Sequence, residues 1–230
     1  MNTNLKKTAR IAGLLYLINA ITAAIGIIII PGKLFIPNDI AETALNILSN
    51  ELLFRFGILN AVASQIVFVF LALTLYKLFK KVNKNLSISL LALVVASIPV
   101  GFYIIFNQFE ALVILQNNFM TSFESVKIQE LAMLKLQTYQ NGIVLIGVFW
   151  GIWLIPFGQL VYKSGFIPKI FGVFLVAGGI SYLIDVAVFI LFPSFHDQTN
   201  ILVAITSSIA ELSMVLWFLL KGISIKKEIE

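Results

Sequence analysis

Three carboxylates, Glu110, Asp185 and Glu211, lie inside or at the edge of long apolar runs in a 230-residue sequence that is 60% hydrophobic and 12% charged. A charged carboxylate at the centre of a bilayer costs about 2.5–3.5 kcal/mol, so such residues normally face a bundle interior or a watery cavity. Counted from the outer turn near His196, or from Lys169 and Lys221, Asp185 and Glu211 differ in depth by about 4–9 Å. We therefore expect their carboxyl groups to share one pocket, within roughly 10 Å of each other. Two carboxylates in one low-dielectric space cannot easily both ionise. We therefore expect at least one of Asp185 and Glu211 to hold a proton, and the pair indicates a cation or amine site or proton coupling.

Small and polar residues follow the apolar runs at steps of three and four, which places them on one face of each predicted helix. This pattern predicts a polar pocket that opens to the outside, and its candidate lining is Asp185, Glu211, Asn60, Tyr182, Ser207 and Asn19. In the alternative interpretation the same polar faces only bind helices together, with each acid hydrogen-bonded as a neutral group. The sequence leaves both interpretations open.

Arg55 and Glu110 lie almost equally far from the middle of a predicted turn near Val82. Two antiparallel helices joined there would place both side chains at the same height, so we predict an ion pair between them. The alternative is that each side chain reaches separately to the membrane surface.

The elements that must position these residues are six apolar runs. Each run has roughly the 20 residues that a helix needs to cross about 30 Å of hydrocarbon. The runs are continuous, unlike the alternating strands of a membrane barrel. The sequence therefore predicts an all-α, polytopic transmembrane bundle, a single transmembrane domain over residues 1–230, with spans at approximately 11–30, 54–76, 86–109, 139–162, 168–192 and 201–220.

Basic residues are distributed unequally between the two sides of this bundle. Four of the sixteen lie on one side: Lys33, Arg55, Lys127 and Lys135. Twelve lie on the other: Lys6, Lys7, Arg10, Lys77, Lys80, Lys81, Lys84, Lys163, Lys169, Lys221, Lys226 and Lys227. The positive-inside rule then places both termini in the cytoplasm. The basic residues orient the chain and contact anionic lipid headgroups, so nucleic acid is not expected as a partner.

Two predicted external segments are longer than turns. Residues 38–53 place Ala41, Ala44, Leu45, Leu48 and Leu52 at helical spacing behind a capping residue, Asn38 or Asp39, which is typical of an amphipathic helix at the membrane interface. Residues 121–138 open with Thr121 and Glu124 at capping-box spacing and predict a helical extension of the fourth span. Trp153 and Trp217 are candidate interfacial anchors.

The sequence contains few residues of the types that catalysis or metal binding requires. Cysteine is absent and histidine occurs once, which excludes thiolate nucleophiles and thiolate or multi-histidine metal sites. The single His196 is expected in an exposed outer turn, away from any serine partner. We predict no cofactor, no metal and no catalytic residue, and an enzyme is the third hypothesis, because the sequence offers no set of nucleophile, base or metal ligands.

Several stretches resemble bacterial membrane proteins of the domain of unknown function 4386 family: Gly151–Lys169, Gly178–Asp185, Arg10–Leu17, Arg55–Gly57 and Glu211–Trp217. The resemblance spans nearly the whole chain. It implies a small multi-pass protein of the bacterial cytoplasmic membrane, and it supplies no activity, cofactor or catalytic residue.

These observations predict a membrane protein that binds or carries a small solute or lipid through the outward-opening pocket, with membrane lipids as its other partners. The alternative is a non-catalytic structural or accessory membrane subunit. The sequence names neither the ligand nor the oligomeric state.

Overall fold

All the secondary-structure elements described for this chain are helices. The structure is a computed structural model, and it describes residues 2–116 and 123–223. Thr121 of the predicted capping box, and Lys226 and Lys227 of the basic set, lie outside the described residues. In chain order the α-helices are α1 (Asn2–Ala23), α2 (Ile30–Leu34), α3 (Ile40–Ser49), α4 (Glu51–Phe79), α5 (Lys84–Leu115), α6 (Ser125–Leu145), α7 (Gly147–Ser164), α8 (Lys169–Leu191) and α9 (His196–Leu216).

Short segments of other helix types join or extend these elements. A π-helical segment, Ala24–Ile29, connects α1 to α2, and a second one, Trp217–Lys221, continues α9. A 3-10 turn, Pro193–Phe195, links α8 to α9. These segments keep the chain helical from α1 into α2 and beyond the end of α9.

Six of the resulting helical segments are long and apolar enough to cross a membrane, which confirms the predicted number. They are Asn4–Leu34, Glu51–Phe79, Lys84–Leu115, Ser125–Ser164, Lys169–Leu191 and Pro193–Lys221. Five of them extend beyond the predicted spans, because hydropathy marks only the apolar centre while backbone hydrogen bonding continues to the capped ends. The fourth contains α6 and α7, so the region after residue 124 does extend the fourth span.

The segment after α2 forms a helix where one was predicted. The Asp39 carboxylate accepts a hydrogen bond from the Glu42 backbone N–H and thereby caps α3, while Asn38 adopts a left-handed conformation with φ 63°. The buried side of α3 consists of Thr43, Ala44 and Ile47. Ala44 is the one member of the predicted apolar face that is buried; the others, Ala41, Leu45, Leu48 and Leu52, form an exposed stripe.

The chain divides into two compact units. The first unit comprises Met1–Ile18, Val67–Ser97 and Leu145–Glu230, and the second comprises Asn19–Ile66 and Ile98–Val144. The second unit has a core in which Ile30, Ile47, Phe54 and Leu112 are buried together.

Within the first unit, α7 and α8 pack backbone against backbone through glycines. A Cβ atom added to Gly158 would lie 2.5 Å from the carbonyl oxygen of Gly172, and one added to Gly151 would lie 2.7 Å from that of Gly179. Both distances are too short for any side chain. Small residues allow helices in lipid to approach closely and gain packing energy, so these four glycines set the position of α8.

The first unit also contains an aromatic core. Trp153 lies 5.1 Å from Phe68, 5.5 Å from Phe157 and 6.1 Å from Tyr16 between ring centroids. Trp153 is only 3% exposed. Its expected role as an interfacial anchor is therefore wrong: the ring packs against three aromatic neighbours in the interior.

Candidate functional site

Glu211 lies in the first unit, opposite a buried tyrosine. It is partly buried on α9, and its Oε2 atom accepts a hydrogen bond of 2.8 Å from the Tyr16 hydroxyl of α1. Tyr16 is 1% exposed and packs against the rings of Trp153 and Phe157. No lysine or arginine in the described part of the chain forms an ion pair with Glu211. The carboxyl group thus has a neutral hydroxyl as its partner, held in place by an aromatic core.

Asp185 occupies a second polar position in the first unit, near the end of α8. It is 4% exposed, and its Oδ1 atom accepts a hydrogen bond of 2.5 Å from the Thr199 hydroxyl on α9. The Nε2 atom of His196 lies 3.6 Å from the same oxygen, and the imidazole packs against Phe189 with ring centroids 4.9 Å apart. Asp185 is thus held by a hydroxyl, with the single imidazole of the chain next to it.

Hydroxyl groups occupy the α8–α9 interface between the two acids. The hydroxyls of Ser181 and Thr206 lie 2.7 Å apart. Tyr182 lies one turn after Gly178 on α8, and the Gly178 position packs against the backbone of Ser207 on α9. We call the whole set the polar ladder: His196, Asp185, Thr199, Ser181, Thr206, Tyr182, Ser207, Glu211 and Tyr16.

The two acids lie at different depths in this ladder. Asp185 contacts Thr199, which precedes Glu211 by twelve positions on the continuous helix α9. Twelve residues of α-helix rise about 18 Å. Sequence counting predicted a difference of only about 4–9 Å and a shared pocket with the two carboxyl groups within roughly 10 Å. The depth estimate is corrected: the acids lie towards the two ends of the ladder, and Tyr182 lies between them.

Asn19 and Asn60, also predicted to line the pocket, belong to the second unit. The Asn60 Nδ2 atom donates to the Thr22 carbonyl at 2.7 Å, and the Ser64 hydroxyl donates to Asn19 Oδ1 at 3.2 Å. Thr22 lies just before the π-helical segment Ala24–Ile29. A π-segment shifts the backbone hydrogen-bond pattern of a helix, so the Asn60 amide stabilises the backbone where the pattern changes. Whether the two asparagines also contact a ligand stays a prediction.

The predicted Arg55–Glu110 pair is not what the second unit contains. The Arg55 Nε atom lies 2.6 Å from Glu51 Oε1, one helical turn away on α4. The Lys135 Nζ atom lies 2.6 Å from Glu110 Oε2 and joins α6 to α5. Counting between α4 and α5 alone could not include Lys135, because this residue lies on α6, the next helix along the chain. Each residue therefore has an opposite charge as its partner, but a different one from that predicted.

Five ladder residues were missed as candidates: Tyr16, Thr199, His196, Ser181 and Thr206. His196 is the first residue of α9 and contacts Asp185, so its expected position in an exposed loop is wrong. The prediction centred the outer turn on His196. Counting about Phe192, where α8 ends, pairs position 185 with position 199 and would have identified Thr199. The sequence signal for Tyr16 was weaker than that for Thr199: it was only its position one turn before Asn19 on a polar helix face.

The chemical groups of the ladder decide what it could bind. Within residues 2–116 and 123–223, no three histidine, aspartate or glutamate side chains lie close enough together to hold a metal ion. The ladder offers carboxyl, hydroxyl and imidazole groups instead. Such groups can exchange protons or surround a small cation.

The described part of the chain contains six apolar helical segments of membrane length and a buried polar seam, which define a multi-pass helical membrane protein. The family model described as Domain of unknown function (DUF4386) matches residues 11–222. The chain belongs to this family, as the resemblance indicated. It matches no curated protein and no solved structure.

Proposed function

We propose that this protein binds or carries a small cationic solute, or couples solute movement to a proton, through the polar ladder. The observation that carries the proposal is Glu211, a membrane-depth carboxyl group whose hydrogen-bond partner is Tyr16 and which has no basic partner among the described residues. Intramembrane carboxyl groups of this kind mark substrate, ion or proton pathways in membrane proteins.

The sequence of groups along α8 and α9 supports a path rather than an isolated site. His196 and Asp185 lie at one end, hydroxyl pairs follow, and Glu211 lies about 18 Å further along the helix. Hydroxyl groups both donate and accept hydrogen bonds, so they can pass a proton or replace part of the hydration shell of a cation. In this proposal the solute enters beside Asp185 and is held near Glu211.

The proposed orientation places both termini in the cytoplasm of a bacterial cell, in its cytoplasmic membrane, with the Asp185 end of the ladder outside. It rests on the twelve-to-four distribution of basic residues. The exposed stripe of Ala41, Leu45 and Leu48 on α3, continued by Leu52 at the start of α4, supports an external helix at the membrane interface. Reporter fusions at the N-terminus and at the turn after Phe79 should both report the cytoplasm, and an external reading at either would reverse the direction of the path.

The rival function, a structural or accessory subunit, has its own supporting observation. Each acid already has a hydroxyl donor, Tyr16 for Glu211 and Thr199 for Asp185, and neutral acids held in this way can simply fasten helices together. The two functions differ in one respect. A structural ladder needs no ligand, whereas a path must bind one.

The test is ligand binding by the purified full chain with Glu211→Gln, because glutamine keeps the acceptor for Tyr16 and removes the charge. Sodium, potassium and a series of primary to quaternary alkylammonium ions would be screened for thermal stabilisation. A ligand at 100 times its Kd should stabilise the fold by about 2.7 kcal/mol. We expect at least one cation to stabilise the unchanged protein and to lose that effect in Glu211→Gln.

Glu110→Gln is the matched control, since it makes the same substitution at an acid that already has a lysine partner. It should retain the cation effect. In proteoliposomes, proton uptake driven by a membrane potential and lost in Glu211→Gln alone would support the proton-coupled version. If no cation stabilises the protein and no proton moves, the structural role is correct.

A further inference from the structure

A groove of about 400 Å³ runs along the outer face of α7 and α8 in the first unit, away from the polar ladder. Its volume falls within the range of about 300–1,000 Å³ typical of small-molecule sites. The exposed surface of the groove is almost entirely apolar. Val173, Val176 and Ile180 form its α8 side, and Gln159 and Tyr162 its α7 side.

The glycine contact between the two helices explains why the groove exists. Gly158 and Gly172 touch through their backbones and both line the groove. Because neither carries a side chain, the helices meet without filling the space above the contact, and the bulkier neighbours stand on either side. From Gly172 to Ile180 the groove follows about 12 Å of helix axis, towards the middle of the membrane span.

One end of the groove carries positive charge. Lys163 lines it, in the last turn of α7, and Lys169 begins α8 with its Nζ atom 5.1 Å from the centre of the Tyr162 ring. Both lysines are exposed, at the ends of apolar helices where headgroups lie. The groove thus combines a chain-shaped apolar trough with two cations and an aromatic ring at headgroup level.

We propose that this groove is a binding site for an anionic phospholipid, with one acyl chain over Gly158 and Gly172 and the phosphate between Lys163 and Lys169. Charge complementarity selects the anionic headgroup, and the uncharged, side-chain-free floor accepts the acyl chain. In the proposed orientation this end faces the cytoplasmic leaflet, which carries anionic lipids. The site is independent of the polar ladder, so either proposal can fail alone.

The experiment measures lipid binding to the purified full chain by native mass spectrometry, with phosphatidylglycerol and phosphatidylcholine of identical acyl chains. We expect phosphatidylglycerol to bind more tightly. The double variant Lys163→Gln/Lys169→Gln should reduce that preference by roughly fivefold for each lysine, the effect of a basic residue near an anionic surface. The matched control is Lys77→Gln/Lys80→Gln: Lys80 also lies over a tyrosine, Tyr76, but neither these lysines nor Tyr76 line the groove, whereas Lys163 and Tyr162, the ring beneath Lys169, do.

A second pair of variants tests the acyl-chain part. Ala177 lines the groove and Ala187 lies ten positions further along α8, and both are exposed. Ala177→Phe fills the trough and should weaken binding of phosphatidylglycerol, whereas Ala187→Phe should leave it unchanged. Because both substitutions are on the surface, loss of folding would not explain a difference between them.

Equal binding of the two lipids, or equal loss in the groove lysines and the control lysines, would overturn the proposal. So would unchanged binding in Ala177→Phe. Free glycerol phosphate that competes as well as the full lipid would also overturn it, since the acyl chain would then contribute nothing.

Discussion

The acids of the two units are stabilised in different ways. In the second unit Glu51 and Glu110 have basic partners, Arg55 and Lys135, at 2.6 Å, and their side chains remain one third or more exposed. In the first unit Glu211 and Asp185 are held by the hydroxyls of Tyr16 and Thr199. Exposed ion pairs gain little because water competes with them. A buried acid bonded to a hydroxyl depends on that one hydrogen bond and leaves a costly unpaired group when it is lost.

This difference separates the two groups of acids by what they can do. An acid that already pairs with a lysine or arginine has its charge balanced, so it needs neither a bound cation nor a proton. Glu211 and Asp185 have no lysine or arginine partner among the described residues, so each can bind a cation or exchange a proton. The variants below therefore compare positions within the ladder with matched positions outside it.

The largest effect is expected from Glu211→Ala. The substitution removes the acceptor of the buried Tyr16 hydroxyl and leaves a space beside it, which should destabilise the fold by about 2–3 kcal/mol. Glu110→Ala, at a partly exposed pair, should cost about 0–1 kcal/mol. Unfolding of both purified variants in the same detergent would measure the difference.

Tyr16→Phe checks the origin of this effect. If the Tyr16 hydroxyl is the group left unpaired, the combination of Glu211→Ala with Tyr16→Phe should be less destabilised than the sum of the two single variants. Equal losses for Glu211→Ala and Glu110→Ala would remove the distinction between the two kinds of acid.

A smaller effect is expected from Thr199→Val, which keeps the shape of the side chain and removes the hydroxyl that donates to Asp185. The loss should be about 1–2 kcal/mol, because Asp185 is 4% exposed and keeps only His196 at 3.6 Å. Thr74→Val is the control: its exposed hydroxyl donates to the Phe70 carbonyl of its own helix, so the change should stay within about 0.5 kcal/mol. Chemical denaturation of both variants measures this, and a neutral Thr199→Val would mean that Asp185 has another donor.

The six spans were predictable because a helix in lipid must form its own backbone hydrogen bonds and expose an apolar surface, and a long run of apolar residues meets both requirements. The cap at Asp39 was predictable for a similar reason, since it depends on residues three apart. The environment of Trp153 was not. Whether a tryptophan lies in the interface or in a core depends on which helices pack against it, and periodicity does not specify that.

The residues of the candidate site divide in the same way, into those that local sequence identifies and those that depend on which helices pack together. Asp185, Tyr182, Ser207 and Glu211 were identified because polar residues in apolar runs are rare and fall on one helix face. Tyr16 and Thr199 were missed because each is the partner of an acid on another helix. The depth estimate failed because it depended on the residue at which the α8–α9 turn is centred. An error of a few residues in that position changes the calculated difference in depth between Asp185 and Glu211 by several ångströms.

The smallest effect tests the ion pairs of the second unit. Glu110→Gln and Lys135→Met, singly and together, should show a coupling of up to about 1 kcal/mol, because the pair is one third exposed and geometrically close. Added salt at 1 M should reduce the coupling, as screening weakens exposed charges.

A parallel cycle combines Glu110→Gln with Arg55→Met. That cycle should be additive within about 0.5 kcal/mol, since Arg55 pairs with Glu51 instead. Coupling in the Arg55 cycle and additivity in the Lys135 cycle would restore the pairing predicted from sequence counting and would contradict the positions of α5 and α6 described here.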